Sequence, residues 1–314
     1  MSESVHMENS GVLLLSKASG YTSHDCVAVV RRLYQTKKVG HTGTLDPMAT
    51  GLLPMLIGGA VKAADVLTDA PKRYLATLRL GVETDTQDIS GTVLRRFAGE
   101  FPAQERVRAV LQAFCGQIMQ TPPMYSALKV NGEKLVDLAR RGITVERQAR
   151  PISIYRLEAE PLQADLWSLD VTCSKGTYIR TLCADIGEKL GCGGTMETLC
   201  RTQTGGFSLE NAVTLEQLET MTEAQRAARL MPVETLFASY PAVTLPAFYD
   251  RLAKNGCEIY LHKLRGDAKR LLPGAFVRLY DANGFWALAQ VRLFTPKGEA
   301  IAPQPAIKVC KRFS

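Results

Sequence analysis

The segment from Lys38 to Gly51 constrains the fold of this chain most strongly, because turn-forming and chemically reactive residues are interleaved along its length. Three glycines, the imidazole of His41 and the carboxylate of Asp46 fall within it, and Asp46 precedes Pro47. A residue before proline is disfavoured from helical backbone angles, whereas proline itself suits the first position of a helix. The segment therefore predicts a turn in which the Asp46 side chain caps a short helix that begins at Pro47.

Apolar periodicity elsewhere predicts strands and helices in irregular order. Apolar side chains alternate with polar ones from Lys72 to Leu80, which indicates a strand with Tyr74 on its buried face. Such a mixture is typical of the α+β class, with helices around one extensive sheet. We expect Ser23 to cap the first predicted helix. The other predicted strands are residues 12–15 and 167–173, and the predicted helices are residues 24–34, 107–114 and 179–190.

Composition shifts along the chain predict two domains. Residues 209–239 are helical and charged in pattern, and Tyr240-Pro241 interrupts them. Beyond this break, residues 274–289 contain an Asp-Ala-Asn-Gly turn between two apolar runs, which predicts a hairpin of a small β-barrel. We therefore expect a disordered tail at 1–10, a larger domain at 11–238 and a small β domain at 239–314. Within the larger domain, the proline-led and basic residues 120–150 predict a surface loop, which is either an ordinary connection or a clamp on the phosphate backbone of a nucleic acid.

The basic charge is confined to the C-terminal quarter. The chain has a formal net charge of +7, and residues 241–314 alone hold twelve Lys or Arg against five Asp or Glu. A basic surface of this kind attracts polyanions, of which nucleic acid is the most common in cytoplasm. The alternative is a basic domain whose charge serves only solubility.

Several classes of protein are disfavoured by the sequence. The longest apolar run, residues 52–61, is half the length of a membrane span and contains Pro54. The eight cysteines form no Cys-x-x-Cys pair, and no histidine cluster completes a metal site. No nucleotide-binding glycine loop is present. We expect a cytoplasmic protein with reduced, mostly buried thiols and with neither cofactor nor metal.

Four separated segments closely resemble the TruB family of tRNA pseudouridine(55) synthases, and the match spans nearly all of residues 11–220. The C-terminal region resembles, less strongly, the PUA-like RNA-binding domain of the same enzymes. The matching segments are Gly40 to Gly51, Lys72 to Gly91, Pro123 to Gly132, and Ser174-Lys175-Gly176-Thr177-Tyr178-Ile179-Arg180-Thr181-Leu182.

The resemblance implies a pseudouridine synthase fold, with a central mixed and largely antiparallel sheet, followed by a PUA-like β-barrel. It also implies that one uridine in the T-arm of tRNA is flipped out and isomerised by a stand-alone enzyme without cofactor. Because the sequence shows no exposed apolar stripe, we expect this enzyme to be a monomer. A reaction without cofactor must take its nucleophile from a side chain, and an ionised carboxylate suits attack on a sugar carbon or on pyrimidine C6.

By resemblance, Asp46 is the nucleophile and Arg180 pairs with it, although Arg180 would otherwise suggest a structural salt bridge. Tyr74 offers a ring that can stack on the uracil and a phenol that can lie near the C5 proton. The alternative is that Tyr74 is only a core residue. The nucleophile's route, through the sugar, the base or a glycal, stays open.

The resemblance also assigns substrate-binding residues. His41 fills the space that the extruded base leaves, and Tyr178 bonds the base or ribose or else covers the apolar face of its helix. Leu199 packs on the base, where without the family it would be a core residue. Asp88 either braces Arg180 or is a turn residue. Lys17 belongs to the first family motif.

Two departures from the family pattern bear on the loops around Asp46. The segment Lys17-Ala18-Ser19-Gly20 lacks the usual proline, and Thr44 stands where alanine is common. Neither removes a proposed chemical group. Two other functions remain open at this point, a guide-RNA-dependent relative of the same fold and a non-catalytic RNA-binding or RNA-chaperone protein.

Overall fold

The computed structural model describes residues 10–295 and 302–313, which fold around two sheets of different size. The strands are β1 (Gly11–Lys17), β2 (Val39–His41), β3 (Thr50–Ile57), β4 (Lys72–Leu80), β5 (Val82–Thr84), β6 (Val93–Arg96), β7 (Gly116–Gln120), β8 (Lys129–Val130), β9 (Glu133–Lys134), β10 (Arg150–Pro161), β11 (Leu166–Cys173), β12 (Gly194–Thr204), β13 (Phe207–Ser208), β14 (Val213–Thr214), β15 (Ala242–Thr244), β16 (Ile259–Tyr260), β17 (Phe276–Asp281), β18 (Gly284–Phe294) and β19 (Gln304–Arg312).

Helices lie between these strands. The α-helices are α1 (Ser23–Leu33), α2 (Ala64–Asp69), α3 (Gln104–Gln112), α4 (Leu135–Arg140), α5 (Ile179–Leu190), α6 (Leu215–Thr220), α7 (Glu223–Ala227) and α8 (Ala247–Lys254), and the 3-10 helices are Gly58–Ala63, Leu209–Asn211, Val233–Phe237, Leu261–Lys263 and Gly266–Arg270.

The larger sheet has ten strands and is mixed. Its main path runs β14-β1-β3-β12-β4-β11-β10-β7, with β2 paired to β3 and β13 to β12. The pairs β1–β14 and β3–β12 are parallel, and the other pairs are antiparallel. The predicted α+β class, with a central and largely antiparallel mixed sheet, is therefore confirmed.

Strand β4 shows why the sequence forms this sheet. Lys72, Tyr74, Ala76, Leu78 and Leu80 are buried, as the alternation predicts, because successive strand residues point to opposite faces. Their face packs into the main hydrophobic core together with the buried residues of α3 and α5. The predicted strand at 72–80 is confirmed to the residue.

Strand β3 was not predicted, although it is fully buried after its first residue. It contains Pro54, which cannot donate to a ladder and is unusual inside a sheet. Along the edge of β3 that faces away from β1, β12 pairs only with Thr50 and Gly51, and β2 begins to pair at Met55. Pro54 lies in the gap between these two partner strands, so its missing amide proton is tolerated there.

Two local predictions near Asp46 are wrong. Thr22, not Ser23, is the N-cap of α1: its hydroxyl accepts from the amide of Asp25 in a capping box. Ser23 instead uses its hydroxyl to bond both the amide and the carbonyl of Leu45, at 3.0 and 3.2 Å. Pro47 begins a turn and not a helix, so the Asp46 side chain caps nothing and is free for other contacts.

The smaller sheet runs β15-β17-β18-β19-β16 and curls around a core of its own, which includes Val277, Leu279 and Trp286. The predicted hairpin is present as β17 and β18. Residues 209–239 form short helices, as their pattern indicates. Of the predicted tail, residues 1–9 lie outside the described residues.

An aromatic cluster packs the smaller sheet against the 3-10 helix Val233–Phe237. Phe237 is fully buried and its ring centroid lies 5.9 Å from that of Phe285 and 5.4 Å from that of Phe313. The ammonium of Lys311 adds bonds to the carbonyl of Lys62 and to the Asp65 carboxylate. The C-terminal strand is thereby fastened to the helices that precede β4.

The thiols are less buried than predicted. All eight are free; four are buried, Cys200 is half-buried, and Cys115, Cys257 and Cys310 are exposed. In the part of the chain that the structure describes, no helix has the length and apolar character needed to cross a membrane.

Candidate active site

A cavity of about 710 Å³ opens at the ends of β4 and β12. Its wall is formed by the Asp46 loop (residues 42–49), the C-terminal end of α2, residues 120–128, and the start of α5. Five basic side chains line the cavity against two acidic ones, which gives it a positive potential. These are Lys72, Arg150, Lys175, Arg180 and Arg201, with Asp46 and Asp69.

The Asp46 carboxylate is bound in two-pronged fashion by Arg180. The Arg180 Nε lies 2.9 Å from Asp46 Oδ2, and its Nη2 lies 3.3 Å from Oδ1. The Arg180 side chain is 5% exposed and the Asp46 side chain 34%, so the carboxylate faces the cavity while its partner is enclosed. Burial raises the pKa of Asp46, and the Arg180 guanidinium opposes that rise.

Arg180 is itself held in place by backbone carbonyls and by a second carboxylate. It donates to the carbonyls of Thr86 at 2.9 Å and Tyr125 at 2.7 Å. Asp88 Oδ2 lies 3.7 Å from Arg180 Nη1, and Asp88 Oδ1 accepts from Thr86 and Ser90. Asp88 is thus both a turn residue and a brace for Arg180. The guanidinium has little freedom to leave Asp46.

The Asp46 loop is fixed from three sides. The Pro47 carbonyl accepts from the Gly20 amide at 2.9 Å and from the Lys17 ammonium at 3.1 Å. Ser23 holds Leu45, as described above. Lys17 is 1% exposed and also donates to the carbonyls of Ala18 and Tyr21. Lys17 thus secures the loop, and its predicted contact with substrate stays a prediction.

Tyr74 and Leu199 form the apolar side of the cavity. Leu199 pairs with Ala76 across β12 and β4, two positions from the pair of Arg201 with Tyr74. Tyr74 and Leu199 are 9% and 7% exposed and both line the cavity, so each belongs to the core and to the cavity wall, and their contact with the base stays a prediction. Burial raises the pKa of the Tyr74 phenol, with Arg201 opposing it.

Tyr178 lies at the N-cap of α5, directly before the helix that carries Arg180. Its amide donates to Gln120 Oε1 at 2.9 Å, and its carbonyl accepts from Gln120 Nε2 at 3.0 Å. The phenol faces the cavity, and burial raises its pKa while the nearby Arg180 charge opposes that rise. Gln120 was not predicted, because its role depends on a strand distant in sequence.

His41 is not among the cavity-lining residues. It ends β2, where it pairs with Met55, and its ring lies 5.9 Å edge-on from that of His24. Its Nδ1 is buried without a hydrogen-bond partner among the described residues. Burial lowers the pKa of His41, and His24 and Arg201 lower it further, so the neutral ring is favoured.

Lys72 and Arg201 line the cavity and were not predicted. Lys72 donates to the carbonyls of Leu67, Thr68 and Ala70 at the end of α2, and burial lowers its pKa to about 8. The signal was present in the sequence, because Lys72 stands two residues before Tyr74 on a predicted strand and so shares its face. In the described ranges no cluster of His, Cys, Asp or Glu side chains suits a metal ion.

Comparison with known proteins identifies the family. Residues 31–179 match the TruB family pseudouridylate synthase model for the N-terminal domain. Residues 180–238 match the model of the tRNA pseudouridylate synthase B C-terminal domain. The chain belongs to the TruB family. It is therefore an RNA uridine isomerase, as the resemblance implies.

Individual relatives agree. The chain is 42% identical over 281 residues to tRNA pseudouridine synthase B of Clostridium tetani, covering 90% of this chain and 95% of the relative. It is 47% identical over 277 residues to the protein of the same name from Burkholderia mallei, covering 87% and 90%. Its fold matches a crystal structure of a Cbf5-Nop10-Gar1 complex with a TM-score of 0.71 and 25% identity, covering 100% of this chain and 88% of that one.

Proposed function

We propose that this TruB-family enzyme converts uridine 55, in the T-arm loop of tRNA, to pseudouridine with Asp46 as the nucleophile. The Asp46–Arg180 pair carries the proposal: a carboxylate open to a cavity is held in its ionised form, and in one direction, by an enclosed guanidinium. Ionisation and orientation are the two properties that a carboxylate nucleophile needs. The relatives named tRNA pseudouridine synthase B support tRNA as the substrate.

The reaction rearranges bonds without a net gain or loss of atoms. The N1–C1′ bond breaks, the uracil turns and the C5–C1′ bond forms; the C5 proton then leaves to solvent, and N1 takes up a proton in its place. Asp46 attacks either C1′ or C6, and both routes place the base between Tyr74 and Leu199. The Tyr74 phenol is then the group next to the C5 proton, and Tyr178 is available to hydrogen-bond the base or ribose.

The target uridine must leave its stack to reach the cavity. Asp46 lies inside a recess, which a base within a folded loop cannot enter. We assign to His41, which lies beside the Asp46 loop, the role of filling the space that the base vacates. Its neutral aromatic ring can stack on bases without a charge of its own.

The regions around the cavity provide the RNA contacts. We propose residues 11–238 as the catalytic domain, with residues 120–150 contacting RNA, and residues 239–314 as a PUA-like domain that grips RNA. We further propose that the enzyme acts in the cytoplasm as a monomer without a protein partner. The identity of 42–47% to relatives named tRNA pseudouridine synthase B, against 25% to a chain of a Cbf5-Nop10-Gar1 complex, favours this over a guide-RNA-dependent role.

Tritium release from tRNA transcripts labelled at uridine C5 tests the chemistry. We expect release with the purified wild-type protein, complete loss with Asp46→Asn, and tRNA binding by both. Glu188→Gln is the control, because Glu188 is an exposed carboxylate on α5 that does not line the cavity. Tight tRNA binding by the wild type without release would instead indicate a guided or non-catalytic RNA-binding protein.

Salt dependence tests the RNA contact of the C-terminal domain. Deleting this domain would uncover Phe237, so we use the full chain with Lys263, Lys269 and Arg270 changed to Gln. All three are exposed. Each lost phosphate contact lowers the slope of log affinity against log salt by about 0.7–0.9. An unchanged slope would show that these cations do not contact RNA.

A further inference from the structure

Arg201 is a buried cation in the cavity wall that no family assignment or predicted role accounts for. Its side chain is among the largest fully buried ones, at 1% exposure. Among the residues that the structure describes, no carboxylate pairs with it. Its Nε donates to the Leu52 carbonyl at 2.8 Å, and its Nη2 donates to the Gly43 carbonyl at 3.0 Å.

The sheet places Arg201 directly beside Tyr74. The two residues are opposite each other in the antiparallel pairing of β12 with β4, so their side chains leave the same face about 5 Å apart. Both line the cavity, and the positive charge of Arg201 opposes the rise that burial causes in the pKa of the Tyr74 phenol. The carbonyls of Leu52 and Gly43 prevent the guanidinium from turning away.

The chemistry of the two groups fixes the direction of any hydrogen bond between them. A guanidinium has donors and no acceptor, so the phenol oxygen must accept from it. The phenol proton then points away from Arg201, and a lone pair stays committed to a full positive charge. Such a charge stabilises negative charge that develops on the phenol oxygen when its proton is shared with a substrate.

We propose that Arg201 is a positioning residue for Tyr74: by donating to the phenol oxygen it directs the hydroxyl into the cavity. It acts through Tyr74 and touches no reacting atom. Its bond to Gly43 also ties Tyr74 to the Asp46 loop, so that one side chain sets the placement of the phenol relative to the carboxylate. The catalytic meaning of this placement rests on the proposed function, but the contact itself does not.

Carbon-13 NMR of protein labelled at tyrosine Cζ tests the contact without RNA. The Tyr74 resonance is identified by its absence in Tyr74→Phe. We expect this resonance to move in Arg201→Met and in Arg201→Lys, since lysine keeps a cation but loses the planar fork. Arg79→Met is the matched control, because Arg79 lies on the opposite face of β4 in ion pairs with Glu197 and Asp165. A Tyr74 resonance unchanged in both Arg201 variants would overturn the proposal.

A double-mutant cycle tests the catalytic meaning. With saturating tRNA we expect Arg201→Met to lower the single-turnover rate by about tenfold in the otherwise wild-type enzyme and by less than about twofold in the Tyr74→Phe background. Equal losses in both backgrounds would show that Arg201 supports the cavity without acting through Tyr74. If Tyr74→Phe gives no measurable product, the resonance decides the case. If the wild type itself gives no pseudouridine, the proposed function fails while the NMR test still stands.

Discussion

Replacing Arg180 with methionine is expected to raise the pKa of Asp46 further above its usual range. Two unit charges about 4 Å apart interact by about 4 kcal/mol at an effective dielectric constant near 20, and the variant loses this interaction. The Asp46 side chain is 34% exposed, so solvent screens part of this interaction. The remaining shift adds to the rise that burial already causes.

The sign of the shift is set by the ionised form. Asp46 must be a carboxylate to attack, so activity is lost as pH falls through its pKa, and a higher pKa moves that acid limb to higher pH. Single-turnover rates between pH 4 and 9 measure the limb, and the carboxyl carbon resonance of Asp46, absent in Asp46→Asn, measures the pKa directly. Arg180→Lys keeps the charge and is expected to lower the plateau with a smaller shift of the limb. An acid limb at the same pH in Arg180→Met and wild type would refute this reasoning.

Three further changes test separate features of the molecule. Gly51 has a φ of +101°, and in Gly51→Ala the added Cβ would lie 2.3 Å from a backbone oxygen of β12. We expect this variant to lose more than about 2 kcal/mol of stability, as measured by denaturant unfolding. The control is Gly20→Ala, which has a φ of +90° but open space around it and is expected to lose about 1 kcal/mol. Burial raises the pKa of Asp185 to about 6, so ionisation of this carboxyl opposes folding as pH rises from about 4 to 6. We therefore expect Asp185→Asn to stabilise the protein by about 1–2 kcal/mol at pH 7 and to have no effect at pH 4, as measured by thermal unfolding. Asp69 pairs with Lys175 at 2.8 Å on the rim of the cavity. Asp69→Asn is expected to free the Lys175 ammonium for a phosphate and to tighten tRNA binding a few-fold at low salt. Unchanged affinity would show that Lys175 does not contact RNA.

The helices and strands that could be predicted are those whose buried residues recur at a regular spacing along the sequence. The alternation in β4 and the helical spacing in α5 each place an apolar face against one core, so local pattern and tertiary structure agree. Asp46, Tyr74 and Arg180 then meet in one cavity, as their motifs imply. Strand β3 was missed because its buried run is continuous and holds a proline that only its irregular pairing tolerates.

The contacts that the sequence did not reveal depend on partners far away in the chain. Lys17 carries an ammonium of the kind that binds RNA, but this ammonium donates to the carbonyls of Ala18, Tyr21 and Pro47. Nothing in the motif around Lys17 shows that these carbonyls converge. Gln120 closes two bonds on the backbone of Tyr178 across 58 residues, which no local pattern indicates.

The buried cations around the cavity share one mode of stabilisation. Lys17, Lys72 and Arg201 each bond backbone carbonyls and, among the described residues, form no ion pair with a carboxylate. Carbonyl dipoles satisfy the hydrogen bonds of a cation without cancelling its charge, whereas a carboxylate partner would make the pair neutral. The wall of the cavity thus stays positive while its loops are held together. Arg180 is the exception, since its charge is committed to Asp46 and Asp88. One cation therefore prepares the carboxylate, and the others leave a net positive field for an anionic substrate such as RNA.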